Sequence, residues 1–254
     1  MCLIFFSLHV HPTYKLIVAG NRDEFYERKT APASFWQDYP DVVGGRDLEA
    51  GGTWMGVTRS GKISFITNYR DPQRINPKAP SRGMLVSDYL ERDIAPDVYM
   101  QGIASNAKLY NGFNLVVGNA DELYYLSNYG TGVEKISEGF HGLSNHVLET
   151  PWPKVVRGKE KLVDILTGKK INTDHIMDIL YDDQIAPDDQ LPDTGVGLER
   201  ERVLSSMFIK SPGYGSRCST VLLIDHSNTL TFSERTYNTA DFEYTTKTFQ
   251  FTIR

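Results

Sequence analysis

The chain opens on an apolar run, Cys2–Leu8, and a second such run follows at 14–20, with Pro12 and Thr13 between them. Two β-rich runs on either side of turn formers predict a hairpin. The runs 54–58 and 63–68 predict another, turning at Ser60 and Gly61. A loop over 71–81, carrying Pro72, Pro77 and Pro80, separates these strands from two helical patterns. In the first, Met84, Leu85, Tyr89 and Leu90 share a face; the second, weaker, runs through Val98, Ile103 and Leu109. Strands are predicted at 113–117 and 123–126, separated by Gly118, Asn119 and Asp121. After Pro151 and Pro153 the spacing of Val155, Val156, Leu162, Val163 and Leu166 is helical again. Ile176, Ile179 and Leu180 predict a further short helix, with Thr173 or Asp174 as its cap. Residues 182–197 are acidic and broken by Pro187, Pro192 and two glycines, which predicts an exposed loop able to act as a lid. The remaining strands are predicted at 220–224, 230–232 and 244–253. No linker composition or repeat interrupts 1–254, so one domain of mainly antiparallel strands, with its helices inserted in the middle, is expected.

Composition narrows the partners. With 254 residues, 40% hydrophobic and 23% charged, the chain is an ordinary globular sequence, long enough to bury a substantial core. A net charge of −5 argues against nucleic acid as a partner. No positive charge precedes the first apolar run, which His9 and His11 interrupt, so it does not read as a secretory signal. No stretch is long and apolar enough for a transmembrane segment. Two cysteines, Cys2 and Cys218, make no disulfide framework and suit a reducing compartment, so a cytoplasmic location is expected.

Cys2 carries the sharpest chemical expectation. Methionine aminopeptidases generally trim Met before a small residue, which would leave a thiol and a free α-amine on Cys2. That amine has a pKa of about 7.7–8 and could accept the proton of its own thiol. The plainer alternative is a small buried strand residue. Four polar residues, Asn21-Arg22-Asp23-Glu24, follow the second apolar run. A hairpin would bring them towards Cys2, where a carboxylate could hold the amine and Arg22 could lower the thiol pKa. Gly51-Gly52-Thr53-Trp54-Met55-Gly56 reads as a tight loop or a place of close approach. Asn68, in Thr67-Asn68-Tyr69-Arg70, and Asn145, in Gly142-Leu143-Ser144-Asn145-His146, stand where an amide could donate to an oxyanion. Gly213-Tyr214-Gly215-Ser216-Arg217-Cys218 leads into the C-terminal strands.

Taken together, these blocks resemble the NRDE family, that of transport and Golgi organisation protein 2. The resemblance rests on Cys2, Asn21-Arg22-Asp23-Glu24, the Gly-Gly-Thr-Trp-Met-Gly run and Thr67-Asn68-Tyr69-Arg70. Leu143-Ser144-Asn145 with Pro151-Trp152-Pro153-Lys154, and Ser216-Arg217-Cys218-Ser219-Thr220, extend it. That family in turn is similar to the cysteine N-terminal-nucleophile hydrolases, which include penicillin V acylase and bile-salt hydrolase. The resemblance implies an α+β fold, an αββα sandwich of two mainly antiparallel sheets flanked by helices. It further implies Cys2 as nucleophile, assisted by Arg22 and Asp23, with Asn68 and Asn145 at the oxyanion and Arg217 nearby. Asn21, Glu24, Trp54, Tyr69, Arg70 and His146 are the implied substrate contacts.

Two activities follow as expectations. One is hydrolysis of a small amide or thioester through an acyl-Cys2 intermediate, with no cofactor and no metal required. The other is a carrier that binds haem or an acyl-lipid or acyl-CoA in the same cleft, as in haem trafficking or lipid metabolism. Haem would look to His or Cys as axial ligand. The six histidines show no ligand-type spacing, and His146, beside Asn145, is the best placed.

Overall fold

The computed structural model describes residues 2–166 and 171–254. Met1, on whose removal the free α-amine depends, and the side chain of Leu166 lie outside the described residues. Strand β1 (Cys2–Leu8) and β2 (Tyr14–Phe25) form the first hairpin. β2 does not stop at Gly20 but continues through the whole polar group 21–24. Its polar residues stay in the strand because β1 and β12 on either side pair its backbone and the helix-side residues Asn21 and Asp23 are buried.

β3 (Thr30–Phe35), β4 (Val42–Asp47), β5 (Met55–Thr58) and β6 (Ile63–Asn68) follow as a meander. Helices α1 (Gly83–Glu91) and α2 (Pro96–Asn106) come next, then β7 (Phe113–Gly118), β8 (Leu123–Ser127) and β9 (Val133–Lys135). β10 (Gly139–Leu143) leads to α3 (Pro153–Leu166), α4 (Thr173–Leu180) and α5 (Leu198–Leu204). The chain ends in β11 (Lys210–Ser211), β12 (Tyr214–Asp225), β13 (Thr229–Tyr237) and β14 (Tyr244–Thr252).

These strands make two seven-stranded sheets. The first has the order β10-β1-β2-β12-β13-β14, with β11 on β12; the second runs β3 to β9 in sequence. Every pairing is antiparallel.

Strand alternation sorts the core into layers. Ile4, Phe6, Leu16 and Val18 face the second sheet, where Phe6 meets Phe65 at 5.5 Å between ring centroids. Leu3, Phe5, Ile17 and Ala19 face the other way, against Val155, Leu162, Ile176 and Leu180 of α3 and α4. Helices α1 and α2 cover the outer face of the second sheet through Leu85, Tyr89 and Met100. The result is the αββα sandwich.

Several local expectations change. The glycine-rich run is a place of close approach, and the approaching chain is the protein's own. Gly51 sits at φ +78°, and a Cβ on Gly52 would lie 2.4 Å from the Gly83 carbonyl carbon at the start of α1. The cap of α4 is Asn172, whose Oδ1 accepts the Asp174 N–H at 2.9 Å, rather than Thr173 or Asp174. Residues 182–197 are pinned at their start, where Asp182 accepts from Arg157 at 3.1 Å and Lys161 at 2.5 Å. No helix among the described residues is long and apolar enough to cross a membrane.

Candidate active site

Cys2 is the first residue of β1, so groups from both faces of the sheet reach it. The β1–β2 register sets Cys2 opposite Arg22, and the β2–β12 register sets Arg22 opposite Cys218. The two thiols thus flank one guanidinium. On the other side of β1, the β10 register ends at Ile4–Leu143. Two residues further on, Asn145 bends to Cys2: its Nδ2 donates to the Asn68 carbonyl at 3.1 Å and to the Cys2 carbonyl at 3.5 Å. This segment also ties the sheets together. Thr67 Oγ1 donates to the Ser144 carbonyl at 2.5 Å, and the Arg70 N–H donates to the Asn145 carbonyl at 2.8 Å.

The polar group after Gly20 divides between the two faces of the sheet, because successive strand residues alternate. Arg22 and Glu24 lie on the face of Cys2, with Arg22 Nη2 3.6 Å from Glu24. Asn21 and Asp23 lie on the α3/α4 face. Asn21 Nδ2 donates to the carbonyls of Leu180, 2.8 Å, and Met207, 2.9 Å. Asp23 is buried and accepts from Ser216 Oγ at 2.6 Å.

The electrostatics follow from burial. The Cys2 thiol is pushed up from its ordinary value by desolvation, with Asp23 adding to the rise; Arg22 and a hydrogen bond from the Asp23 N–H oppose it. The lowering expected from Arg22 is present, but burial outweighs it. Burial raises the Asp23 carboxyl as well, opposed by the Lys154 charge and the Ser216 hydroxyl. Lys154, 1% exposed, is brought down to about 8, first by burial and then by Arg70, while Asp23 and Cys2 pull it upward. Arg82, held by its Nη1 to the Gly112 carbonyl at 2.8 Å, adds a further cation close enough to feel Cys2 and Glu24.

The other expected site residues lie at varied distances from this centre. By alternation Asn68 is on the face of Ser64 and Ile66, opposite Thr67, and it meets Asn145 through its main-chain carbonyl. Arg217 is the extra residue at a register shift between Ser216 and Cys218. Its Nη1 donates to the carbonyls of Phe25 at 2.9 Å, Tyr26 at 3.2 Å and Arg28 at 2.5 Å, so it organises the turn after β2. Trp54 is buried in the core of the second sheet. Tyr69 stacks on Tyr129 at 3.9 Å between centroids and leans towards His146, whose Nδ1 meets Thr150 Oγ1 at 2.8 Å. Arg70 is buried in an ion pair with Glu201, 2.6 Å. Among the described residues, no group of three or more His, Cys, Asp and Glu could hold a metal ion.

Lys154, Arg82, Ser216 and Glu201 were not singled out from the sequence. Lys154 and Ser216 stand inside recognised blocks, so a signal existed. Glu201 lies in a charged stretch that reads as solvated surface.

Two stacked antiparallel sheets, a helix pair on each outer face and a cysteine heading the first strand define an N-terminal-nucleophile-hydrolase-like fold. A Caenorhabditis elegans N-acylethanolamine-hydrolyzing acid amidase ortholog is similar in structure, with a TM-score of 0.50. That likeness covers 88% of this chain and 92% of the other at 10% identity, and it is one of fold. The sequence carries the relationship further: residues 1–239 match the family Transport and Golgi organisation 2, and the chain belongs to it. The human Transport and Golgi organization protein 2 homolog is 34% identical, with all of both chains covered. The Bos taurus homolog is 36% identical over 98% of this chain and 99% of its own.

Proposed function

We propose that this protein hydrolyses a small amide or thioester through Cys2. One observation carries the reading: Cys2 heads β1 with Asn145 Nδ2 on its carbonyl and Arg22, Asp23 and Lys154 around it. A buried, protonated thiol needs a base. The α-amine freed by removal of Met1 takes the thiol proton as sulfur attacks the acyl carbon. The surrounding cations stabilise the oxyanion that forms, while Asn145, with both its amide hydrogens on the Asn68 and Cys2 carbonyls, fixes the main chain of the nucleophile. The carbon–nitrogen or carbon–sulfur bond then breaks, the leaving group takes the proton, and an acyl thioester remains on Cys2. Water, deprotonated by the same amine, cleaves that thioester and regenerates the thiol.

Intact-mass measurement of the full chain tests whether Met1 is absent. Incubation with short N-acyl amides and acyl thioesters should then give an acyl adduct on the Cys2 peptide, and Cys2→Ser should abolish turnover. Undiminished turnover in Cys2→Ser would reject the reading. Absence of any adduct, combined with stoichiometric binding of haemin or acyl-CoA, would favour the carrier instead.

A further inference from the structure

Arg70 follows β6 and is almost wholly buried, at 8% exposure. Its Nη1 is paired with Glu201 Oε2 at 2.6 Å, and Glu201 Oε1 is in turn held by the N–H of Thr194 at 2.9 Å and its hydroxyl at 2.5 Å. The Trp152 ring lies under the guanidinium, 4.7 Å from its carbon to the ring centroid. The opposite edge differs: Nε and Nη2 of Arg70 have no hydrogen-bond partner, although both atoms are buried.

These two atoms form the side-on fork of the guanidinium. In Arg202 the same edge is filled, gripping both oxygens of Asp188 at 2.8 Å and 2.6 Å, whereas in Arg235 only Nε is left without a partner. Leaving such donors buried and unpaired is costly, more so for a charged group. Arg70 also lines a small cavity, together with Lys154, Trp152, Pro192 and Glu201. Two buried cations and one carboxylate therefore bound this space. It adjoins the main chain of Cys2, since Lys154 Nζ stands 3.5 Å from Asn145 Oδ1 and Asn145 Nδ2 is 3.5 Å from the Cys2 carbonyl, and the Lys154 charge is felt at the Cys2 thiol.

We infer that the Nε/Nη2 edge of Arg70, with Lys154 beside it, is a carboxylate subsite, and that the substrate is an amide or thioester bearing a carboxylate. A planar two-oxygen group matches the fork, which a neutral chain end would leave unpaired. The segment carrying Pro192 and Thr194 closes over the subsite and must shift to admit a ligand. This inference rests on the hydrolase reading for the reaction, but the subsite can be tested without turnover.

The Cys2→Ala protein is titrated calorimetrically with succinamate, glutaramate and adipamate, and with their uncharged counterparts butyramide, valeramide and hexanamide. At least one acid should bind roughly tenfold or more tightly than its neutral partner. Arg70→Lys, which keeps the charge but removes the fork, should erase most of that preference while the circular dichroism spectrum is retained. If Arg70→Lys does not fold, the double variant R70Q/E201Q, which removes both buried charges together, takes its place. Equal binding of acids and neutral amides, binding of neither, or an undiminished preference in the folded variant would overturn the subsite. Turnover that survives Cys2→Ser would reject the hydrolase reading and leave the measured preference standing.

Discussion

Lys154 Nζ stands 3.5 Å from Asn145 Oδ1, so the first turn of α3 reaches through the sheet edge to the residue that holds the Cys2 carbonyl. Burial, with Arg70 next, sets this ammonium at about 8 instead of 10.5. The unfolded chain keeps the proton up to its ordinary value, whereas the folded protein releases it near 8. Between those limits the unfolded state binds more protons, so stability rises with pH there and the contribution is flat below. The whole span is on the order of 3 kcal/mol. Urea unfolding of the wild type and Lys154→Met from about pH 7 to about pH 10.5 measures it. The difference between the two proteins should shift in favour of the wild type as pH rises through this window. Parallel profiles would remove Lys154 as the responsible group.

Cys2 and Cys218 flank Arg22 on adjacent strands, yet their thiols differ. Burial dominates at both; at Cys218 the Glu234 carboxylate adds to it and drives the thiol well above its ordinary value. The Arg22 charge works against burial at both thiols, and at Cys2 a hydrogen bond from the Asp23 N–H works with it. Because the thiolate is the reacting form, iodoacetamide at neutral pH should label Cys2 first, and Cys218 chiefly on unfolding. Arg22→Gln should slow Cys2 labelling, and Arg22→Lys should restore part of it. Equal rates at the two cysteines, read by peptide mass spectrometry, would count against this account.

Asn21 belongs to the same four-residue block as Arg22 and Asp23 but serves the frame. Its Nδ2 holds the Leu180 and Met207 carbonyls, and its Oδ1 accepts from Ser219 Oγ at 2.6 Å. Asn21→Ala would leave these buried groups unpaired, at a cost of about 1–3 kcal/mol for each group stranded. The expected result is a lowered urea midpoint with little change in the rate of Cys2 labelling in the folded protein. Labelling that changes while stability does not would assign Asn21 to the chemistry instead.

The layered fold was legible wherever strands are apolar or alternate, as in Cys2–Leu8 and Ile63–Asn68. It was illegible at β3 and β4, whose Pro32, Gly44 and Gly45 weaken strand propensity and whose pairing depends on distant partners. The same holds inside β2, where a polar tetrapeptide stays in the strand because β1 and β12 pair its backbone on both sides. At the site, Cys2, Arg22 and Asp23 could be tied together through a hairpin, which is a local relation. Lys154 and Glu201 could not, since only the packing of α3 and α5 brings them to residues more than a hundred positions earlier. Charge on a helix reads as solvent exposure until its partner is known.

Gly158 tests the contact between the helix layer and β1 in a way that helix propensity alone would misjudge. It lies within α3, where Ala would ordinarily stabilise by up to about 1 kcal/mol. A Cβ there would stand 2.1 Å from Cζ of Phe5 and 2.9 Å from Sδ of Met207. Both of those side chains are buried in the layer between α3, α4 and the first sheet, so neither can swing into solvent. Gly158→Ala should therefore destabilise, with an overpacking cost of about 1–3 kcal/mol exceeding the propensity gain. Gly102, exposed in α2 with nothing within 4 Å of an added Cβ, provides the control: Gly102→Ala should stabilise. Chemical denaturation of the two variants should give shifts of opposite sign. A stabilising Gly158→Ala would mean that α3 stands further from β1 than described.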